Sequence, residues 1–332
     1  MKARFGVATA IALCGLVAGS GAGPVRADLR VSAERARTPP PRFRYIYNSD
    51  SAAAAAAAAA NGWNLIDVGS KAAADVLPRG TRGLVWVGDY DNSSCSWEIS
   101  DSTVTSEVQR MVGDPKIFGY FISDEPNPYA CPNAPAHHKA RSDLIHSIDP
   151  TKPTVIVLDS NGFTSMGSQD AIDQIPLWKG TASYIGLDPY VCYSWSSTCD
   201  YARIDANIAA ANRAHIRYWG VVQAFDDGSW RWPTAAEARR MLRQWSRSRE
   251  SGYMTFAWRW AGQSLVTRPG LLAVLRRFNR GAVPRRAATR KVAASAADVR
   301  SQRRGQHPLD SAEATLQGVF RVPVARWPLP SA

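Results

Sequence analysis

The chain is short of the residues that metal and nucleophile chemistry draw on. Its 332 residues contain only five cysteines and five histidines. No C-x-x-C pair or spaced His pair occurs. His137 and His138 are adjacent at the start of a predicted helix, not at ligand spacing, and are expected in solvent. No metal is expected. The G-x-S-x-G, Walker and zinc-protease patterns are absent, which removes their chemistries. No glycine-rich phosphate loop follows the first predicted strand, and no cofactor is expected. The longest N-terminal apolar run, 5–19, is too short to span a bilayer, so no integral membrane span is expected.

A charge excess is also missing where it would matter. The formal net charge is +12, but residues 1–42 carry seven basic and two acidic groups, and residues 281–332 carry nine and three. The stretch between them holds 24 basic and 23 acidic groups, so the basicity belongs to the ends. That excludes nucleic acid as the expected partner of the folded part.

Residues 1–27 read as a signal peptide: a basic start at Lys2 and Arg4, the apolar run, and a small-residue cleavage site at Ala27. A secreted, extracellular protein is therefore expected. Removing this segment takes Cys14 with it and leaves Cys95, Cys131, Cys192 and Cys199, an even number that suits two disulfides in an oxidising compartment. Residues 28–42 are polar and proline-rich and read as a linker. Residues 282–332 mix basic residues with Ala, Ser and Gln without apolar period, and read as a disordered basic tail open to contact with an anionic cell surface. A monomer is expected.

Between the ends one grammar repeats: a short apolar β-rich run, a polar tip, a helix-compatible stretch. Strands are predicted over 43–47, 63–68, 83–89, 117–124, 154–158, 184–188, 218–225 and 253–260. Helices are predicted over 52–60, 71–77, 103–112, 136–148, 169–178, 201–214, 234–249 and 270–279. The first helix is nine consecutive alanines, the best helix former, with Ser and Asp available to cap it and Asn61 and Gly62 to end it. Strands alternating with helices imply parallel β-α-β units. Eight units in about 240 residues predict an α/β chain folded as a single closed (β/α)8 TIM barrel over 43–281. An open doubly wound sheet is the alternative.

In such a barrel the reactive groups lie at the C-terminal strand ends. Acids stand at six successive ends: Asp67; Asp89 and Asp91; Asp124 and Glu125; Asp159; Asp188; Asp226 and Asp227. Helix capping explains Asp67 and Asp159, which are set aside. The others are interleaved with Tyr47, Tyr90, Tyr190, Trp195, Trp230, Trp258 and Trp260. Acids facing aromatic planes suit a carbohydrate: rings stack on apolar sugar faces, carboxylates bond hydroxyls, and an acid protonates the glycosidic oxygen. Trp258 and Trp260 alternate with Arg259 and are expected on one face of strand eight. Cys95 and Cys131 lie in neighbouring loops after strands three and four, and Cys192 and Cys199 share the loop after strand six, so these are the expected pairs.

The stretch FGYFISDEP (118–126) carries the strongest signal, a buried run ending in two acids and a proline. It resembles the fourth-strand motif of the (β/α)8-barrel glycoside hydrolase superfamily. GLDPY (186–190) is similar to the sixth-strand motif of that group, and VVQAF (221–225) with RWPTAAE (231–237) to its seventh strand and following helix. The resemblance implies a glycosidase with Glu125 as general acid/base. It also implies a nucleophilic Glu at the end of strand seven, where this chain has Gln223. An amide forms no glycosyl ester. Asp188 or Asp226 as second catalytic carboxylate, an inverting reaction through water, and sugar binding without cleavage all stay open. A carboxyl separation of about 5–5.5 Å suits retention and roughly 6.5–9.5 Å inversion. Tyr47, Asp89, Asp124, Tyr190, Gln223, Trp258 and Trp260 are the expected substrate contacts.

Overall fold

The computed structural model describes residues 41–162 and 166–281. The signal peptide, the basic tail and all but the last two linker residues lie outside them. Eight parallel strands close into a barrel: β1 (Phe43–Ile46), β2 (Leu65–Val68), β3 (Arg82–Trp86), β4 (Ile117–Asp124), β5 (Thr154–Leu158), β6 (Tyr184–Leu187), β7 (Tyr218–Gln223) and β8 (Gly252–Phe256). Each pairs with its neighbours in sequence, and β8 closes on β1. The expected (β/α)8 architecture is the one observed. Among the described residues no helix is long and apolar enough to cross a membrane.

Each strand is followed by a helix: α1 (Ala52–Ala60), α2 (Lys71–Asp75), α3 (Asp101–Met111), α4 (Ala134–Ile148), α5 (Ser168–Asp173), α6 (Tyr201–Ala214), α7 (Ala235–Ser246) and α8 (Pro269–Asn279). The local chemistry accounts for their ends. Ser51 Oγ accepts the Ala54 N–H and starts the alanine helix, whose Ala54, Ala55 and Ala58 are buried. Thr234 and Glu237 form a capping box on α7. The helix expected over 169–178 breaks after Asp173, and Ile175–Trp178 continues as a 3₁₀ turn, because Pro176 has no N–H to extend an α-helix.

Alternation along the strands sorts side chains into two cores. Outside the barrel, aliphatic residues pack under the helices. Inside, the floor is aromatic: Phe43, Phe118, Tyr184 and Trp219 meet at centroid distances of 4.9–5.9 Å. Three guanidinium groups cap these rings, Arg42 over Phe43, Arg82 over Phe118 and Arg217 over Tyr184, at 4.8–5.0 Å. The bottom of the barrel is thus plugged, and the open end is the C-terminal one.

Strand eight is shorter than its sequence pattern. It stops at Phe256, and Arg259–Trp260 turns back antiparallel to Gln263–Ser264. Ala261 and Gly262 between them both have positive φ, as a tight two-residue hairpin requires. The alternation of the barrel strand does not continue beyond Phe256, and Trp258 and Trp260 do not share a face. Trp258 is buried edge-on against Trp63 at 6.0 Å in the outer layer, whereas Trp260 packs on Phe256 at 5.0 Å. His138 is a second correction. It is buried among Tyr90, Trp97 and Trp178, with Nδ1 2.6 Å from the Ala134 carbonyl, and burial pushes it down to about 4.

The packing of α7 on β7 leaves no room for a methyl group at Gly220, where an added Cβ would lie 2.2 Å from the Trp245 ring. Gly220→Ala is expected to lower stability by about 1–3 kcal/mol through overpacking. Urea unfolding followed by tryptophan fluorescence measures this, and an unchanged midpoint would contradict the packing.

Candidate active site

Glu125 stands one residue beyond β4 with a left-handed backbone, φ 47°. Such a conformation is uncommon for a non-glycine residue and needs support from its surroundings. Its N–H donates to the Val157 carbonyl at 2.9 Å, and its carbonyl accepts Asn92 Nδ2 at 3.0 Å. Asn92 Oδ1 in turn accepts the Asn127 N–H at 2.8 Å, so one side chain holds both sides of Pro126. Asn92 lies in the loop fixed by the disulfide Cys95–Cys131, and Cys192–Cys199 closes the loop after β6. Both expected pairs are present.

Two carboxylates reach Glu125. Oxygens of Glu125, Asp159 and Asp188 lie within 4.8 Å of one another, and Glu125 and Asp188 share a hydrogen bond, which requires a proton on one of them. Burial, then the Asp159 charge, raises Glu125 to about 7, with the Asp188 hydrogen bond working the other way. Asp188 is pushed well above the carboxylate range by burial and then by the Glu125 and Asp159 charges. One Asp188 oxygen also accepts the Ser160 N–H at 3.1 Å. Asp159, set aside as a helix cap, caps no helix: α5 begins at Ser168 with Gly167 at its N-cap, and Asp159 Oδ1 accepts the Asn161 and Gly162 N–H groups at 3.2 and 3.1 Å. It belongs to the site.

Asp124 is the last residue of β4, next to Glu125. Burial and the charges of Glu125, Asp89 and Asp67 raise it well above its ordinary value, and its Oδ1 is buried with no hydrogen-bond partner. Asp89 Oδ1 accepts Tyr90 N–H (2.8 Å), Ser123 Oγ (3.0 Å) and Asp124 N–H (3.1 Å). It fastens the tip of β4, and burial raises it to about 6. Asp67 likewise is no cap for α2, which Ser70 caps. Asp67 accepts the Asn48 N–H at 3.0 Å, and burial raises it to about 6.

The wall is aromatic. Tyr190 packs against Phe225 (4.9 Å), Trp230 (5.7 Å) and Phe256 (5.8 Å), and its phenol is raised by burial and by Asp188 and Glu125. Tyr47 meets Phe256 at 5.1 Å and Phe121 at 5.9 Å, and its buried hydroxyl has no partner. Trp260 completes this wall through Phe256. Phe225 and Phe256 carry no polar atom and were invisible to a search for acids and hydrogen-bonding rings.

Three expected site residues do other work. Gln223 is a clamp: Oε1 accepts the Val191 and Cys192 N–H groups at 3.1 and 2.9 Å, and Nε2 donates to the Cys192 and Arg231 carbonyls at 3.1 and 2.8 Å. Its four bonds leave nothing for a sugar hydroxyl. Asp226 Oδ1 accepts the Gly228 N–H at 3.3 Å within its own turn. Trp258 lies in the outer layer.

Gln223→Glu removes both donors to the Cys192 and Arg231 carbonyls. A loss of about 1–3 kcal/mol is expected, larger at pH 8 than at pH 5, because a protonated carboxyl keeps one donor. Equal urea midpoints for the two proteins at pH 8 would contradict the clamp. The acid cluster sets a pH dependence of its own. The folded value of about 7 for Glu125 lies above its ordinary 4.5. The stability it contributes is therefore complete below pH 4.5 and lost as pH rises through 7. Asp67 and Asp89 act in the same sense, from 3.8 to about 6. Calorimetry is expected to give a higher Tm at pH 5 than at pH 8, with a smaller gap in Glu125→Gln.

No protein-family model and no curated protein matches the chain. The solved structures it resembles are mostly glycoside hydrolases, with an aldolase among them. An endo-β-1,3-glucanase of glycoside hydrolase family 128 from Amycolatopsis mediterranei is 15% identical over 70% of this chain and 98% of its own, with a TM-score of 0.45. A chitinase from Chromobacterium violaceum is 11% identical over 71% and 98%, with a TM-score of 0.46. These are likenesses of barrel architecture.

Proposed function

We propose that the chain is a secreted glycoside hydrolase, acting on a poly- or oligosaccharide at the C-terminal mouth of its barrel with Glu125 as general acid/base. The observation that carries this reading is the state of Glu125. It is a carboxyl raised to about 7, hydrogen-bonded to Asp188, in a mouth walled by Tyr47, Tyr190, Trp230, Phe256 and Trp260. A carboxyl that keeps its proton near neutral pH can protonate a glycosidic oxygen. The aromatic wall supplies the apolar planes that a pyranose ring stacks on. Asp188 tunes and orients Glu125 by the shared proton. Two disulfides support an extracellular location.

One observation favours a second reading, a barrel that binds sugar without cleaving it: the strand-seven position is a fully engaged amide. The two separate on turnover. The purified protein is expected to release reducing sugar from a panel of polysaccharides and oligosaccharides, with kcat/KM falling as pH rises through about 7. Glu125→Gln is expected to lower kcat by ~10²–10⁴-fold, the range of a lost general acid. Retained activity in that variant would remove Glu125 from the reaction. Glycan binding without turnover would favour the binding barrel.

A further inference from the structure

The loop after β6 carries an aromatic surface that the acid cluster does not use. Trp195 is 62% exposed, the most exposed aromatic side chain among the described residues. It stacks on Tyr193 with ring centroids 4.8 Å apart and planes 17° from parallel. The loop is held on both sides of this pair. Cys192–Cys199 closes it across seven residues, and Arg231 donates to the Ser196 and Ser197 carbonyls at 2.9 and 3.2 Å while pairing with Glu237 at 2.8 Å. A plane fixed in advance loses little entropy when another ring stacks on it.

Beside this plane a cavity of about 850 Å³ opens between the loop and the first turns of α6 and α7, lined in part by Asp200, Tyr201, Glu237 and Arg240. A second depression, of about 520 Å³, follows the seam between α6 and α7 past Asp205, Arg243 and Arg247, and Arg240 lines it too. The two thus share Arg240 and make one groove. Arg240 and Arg243 stand on one face of α7, opposite the buried Ala238, Met241, Leu242 and Trp245, and Arg247 at the C-cap continues the line over about 10 Å. Of the three acids in the lining, Asp200 pairs with Arg203 at 3.6 Å and Glu237 with Arg231. Only Asp205 is left against three arginines, none of which is in an ion pair among the described residues. Arg240 lies over the Tyr201 ring at 3.7 Å. A guanidinium stacked by its face keeps its N–H edges for planar acceptors such as a carboxylate.

We propose that this groove is a second carbohydrate-binding site, outside the acid cluster, for an acidic polysaccharide whose sugar rings carry carboxylate groups. A ring of the chain stacks on Trp195, and carboxylates along it pair with Arg240, Arg243 and Arg247. Each half of the groove selects one half of that ligand. A neutral glycan leaves the arginines without counter-charge, and an acidic peptide leaves the aromatic plane uncovered. Residues 282–332 of the chain itself are excluded by charge, since the basic groups there outnumber the acidic ones. Tyr193 forms a β-bridge with Trp230, which packs on Tyr190 in the mouth wall, so the site adjoins the rim and holds a polymer beside the mouth. Its ligand binds whether or not the mouth cleaves it.

Titration calorimetry of the full-length protein at physiological ionic strength uses three probes: a galacturonate oligosaccharide, its methyl ester, and a glutamate peptide of similar charge. The galacturonate chain is expected to bind ~10-fold or more tighter than its ester, because a hydrogen bond to a charged group is worth that order. Trp195→Ala is expected to weaken its binding ~10-fold. Combining Arg240→Gln, Arg243→Gln and Arg247→Gln is expected to weaken it ~10²-fold or more. Arg240 and Arg247 are exposed and Arg243 half-buried, so Tm is expected to stay within a few degrees in both variants. Glu125→Gln is expected to bind as the unaltered protein does. No binding of the galacturonate chain, equal affinity for acid and ester, or undiminished binding in the triple variant overturns the inference. Equal binding of the glutamate peptide overturns it in favour of a site for acidic peptides. Loss of binding in Glu125→Gln overturns it by placing the sugar in the mouth. None of these outcomes touches the glycosidase reading, which stands or falls on Glu125-dependent turnover.

Discussion

The burial of carboxylates against one another governs the open end of this barrel. Asp67, Asp89, Asp124, Glu125 and Asp188 are all raised, with burial the first cause in every case, and the charges that raise them further are all those of neighbouring carboxylates. An ionised carboxylate removed from water without compensation costs several kcal/mol or more. The cluster answers that in two ways, by keeping protons and by directing backbone N–H groups at oxygens. The hydrogen bond between Glu125 and Asp188 is the first kind, and the three donors converging on Asp89 Oδ1 are the second. A mouth built this way holds reactive protons near neutral pH at the expense of stability there.

Holding such a cluster in place requires backbone that does not relax. The strain at Glu125 is confined by Asn92, which grips the chain on both sides of Pro126, and the loop carrying Asn92 is fastened by the Cys95–Cys131 bridge. Across the mouth Gln223 fixes the loop after β6, and Cys192–Cys199 closes it. The rigid parts are therefore polar clamps at the top and the arginine-capped aromatic plug at the bottom. The site hangs between them.

Much of this architecture was legible in the chain. The apolar runs marked all eight strands, because a strand buried on both faces must be apolar throughout. The alanine run, Ser51 and Thr234 marked helix starts through local hydrogen bonding. What failed was anything that depended on where a polar side chain finds its partner. Asp67 and Asp159 look like caps because caps use the same residue type; only the closed barrel shows that Ser70 and Gly167 occupy those positions instead. Gln223 sits where a reactive carboxylate was expected, and three of its four backbone bonds go to Val191 and Cys192, in a loop remote in sequence. Trp258 misled because strand periodicity was extended past Phe256, where the barrel strand already ends.

Hydrogen-bond saturation then separates residues that residue type alone cannot. Asp89 and Gln223 look as suitable for a ligand as Asp124 and Tyr47, and all four point from strand ends toward the same opening. Gln223 has its capacity filled by the protein and Asp89 Oδ1 already accepts three donors, so a ligand could engage these atoms only by breaking bonds that hold the loops. Asp124 Oδ1 and the Tyr47 hydroxyl are buried with capacity unfilled, a state that costs stability and brings the fold nothing in return. The Tyr45 hydroxyl and Ser49 Oγ, buried on the same β1 side, are in the same state. Glu125 and Asp188 meet the same cost differently, by sharing a proton in one hydrogen bond.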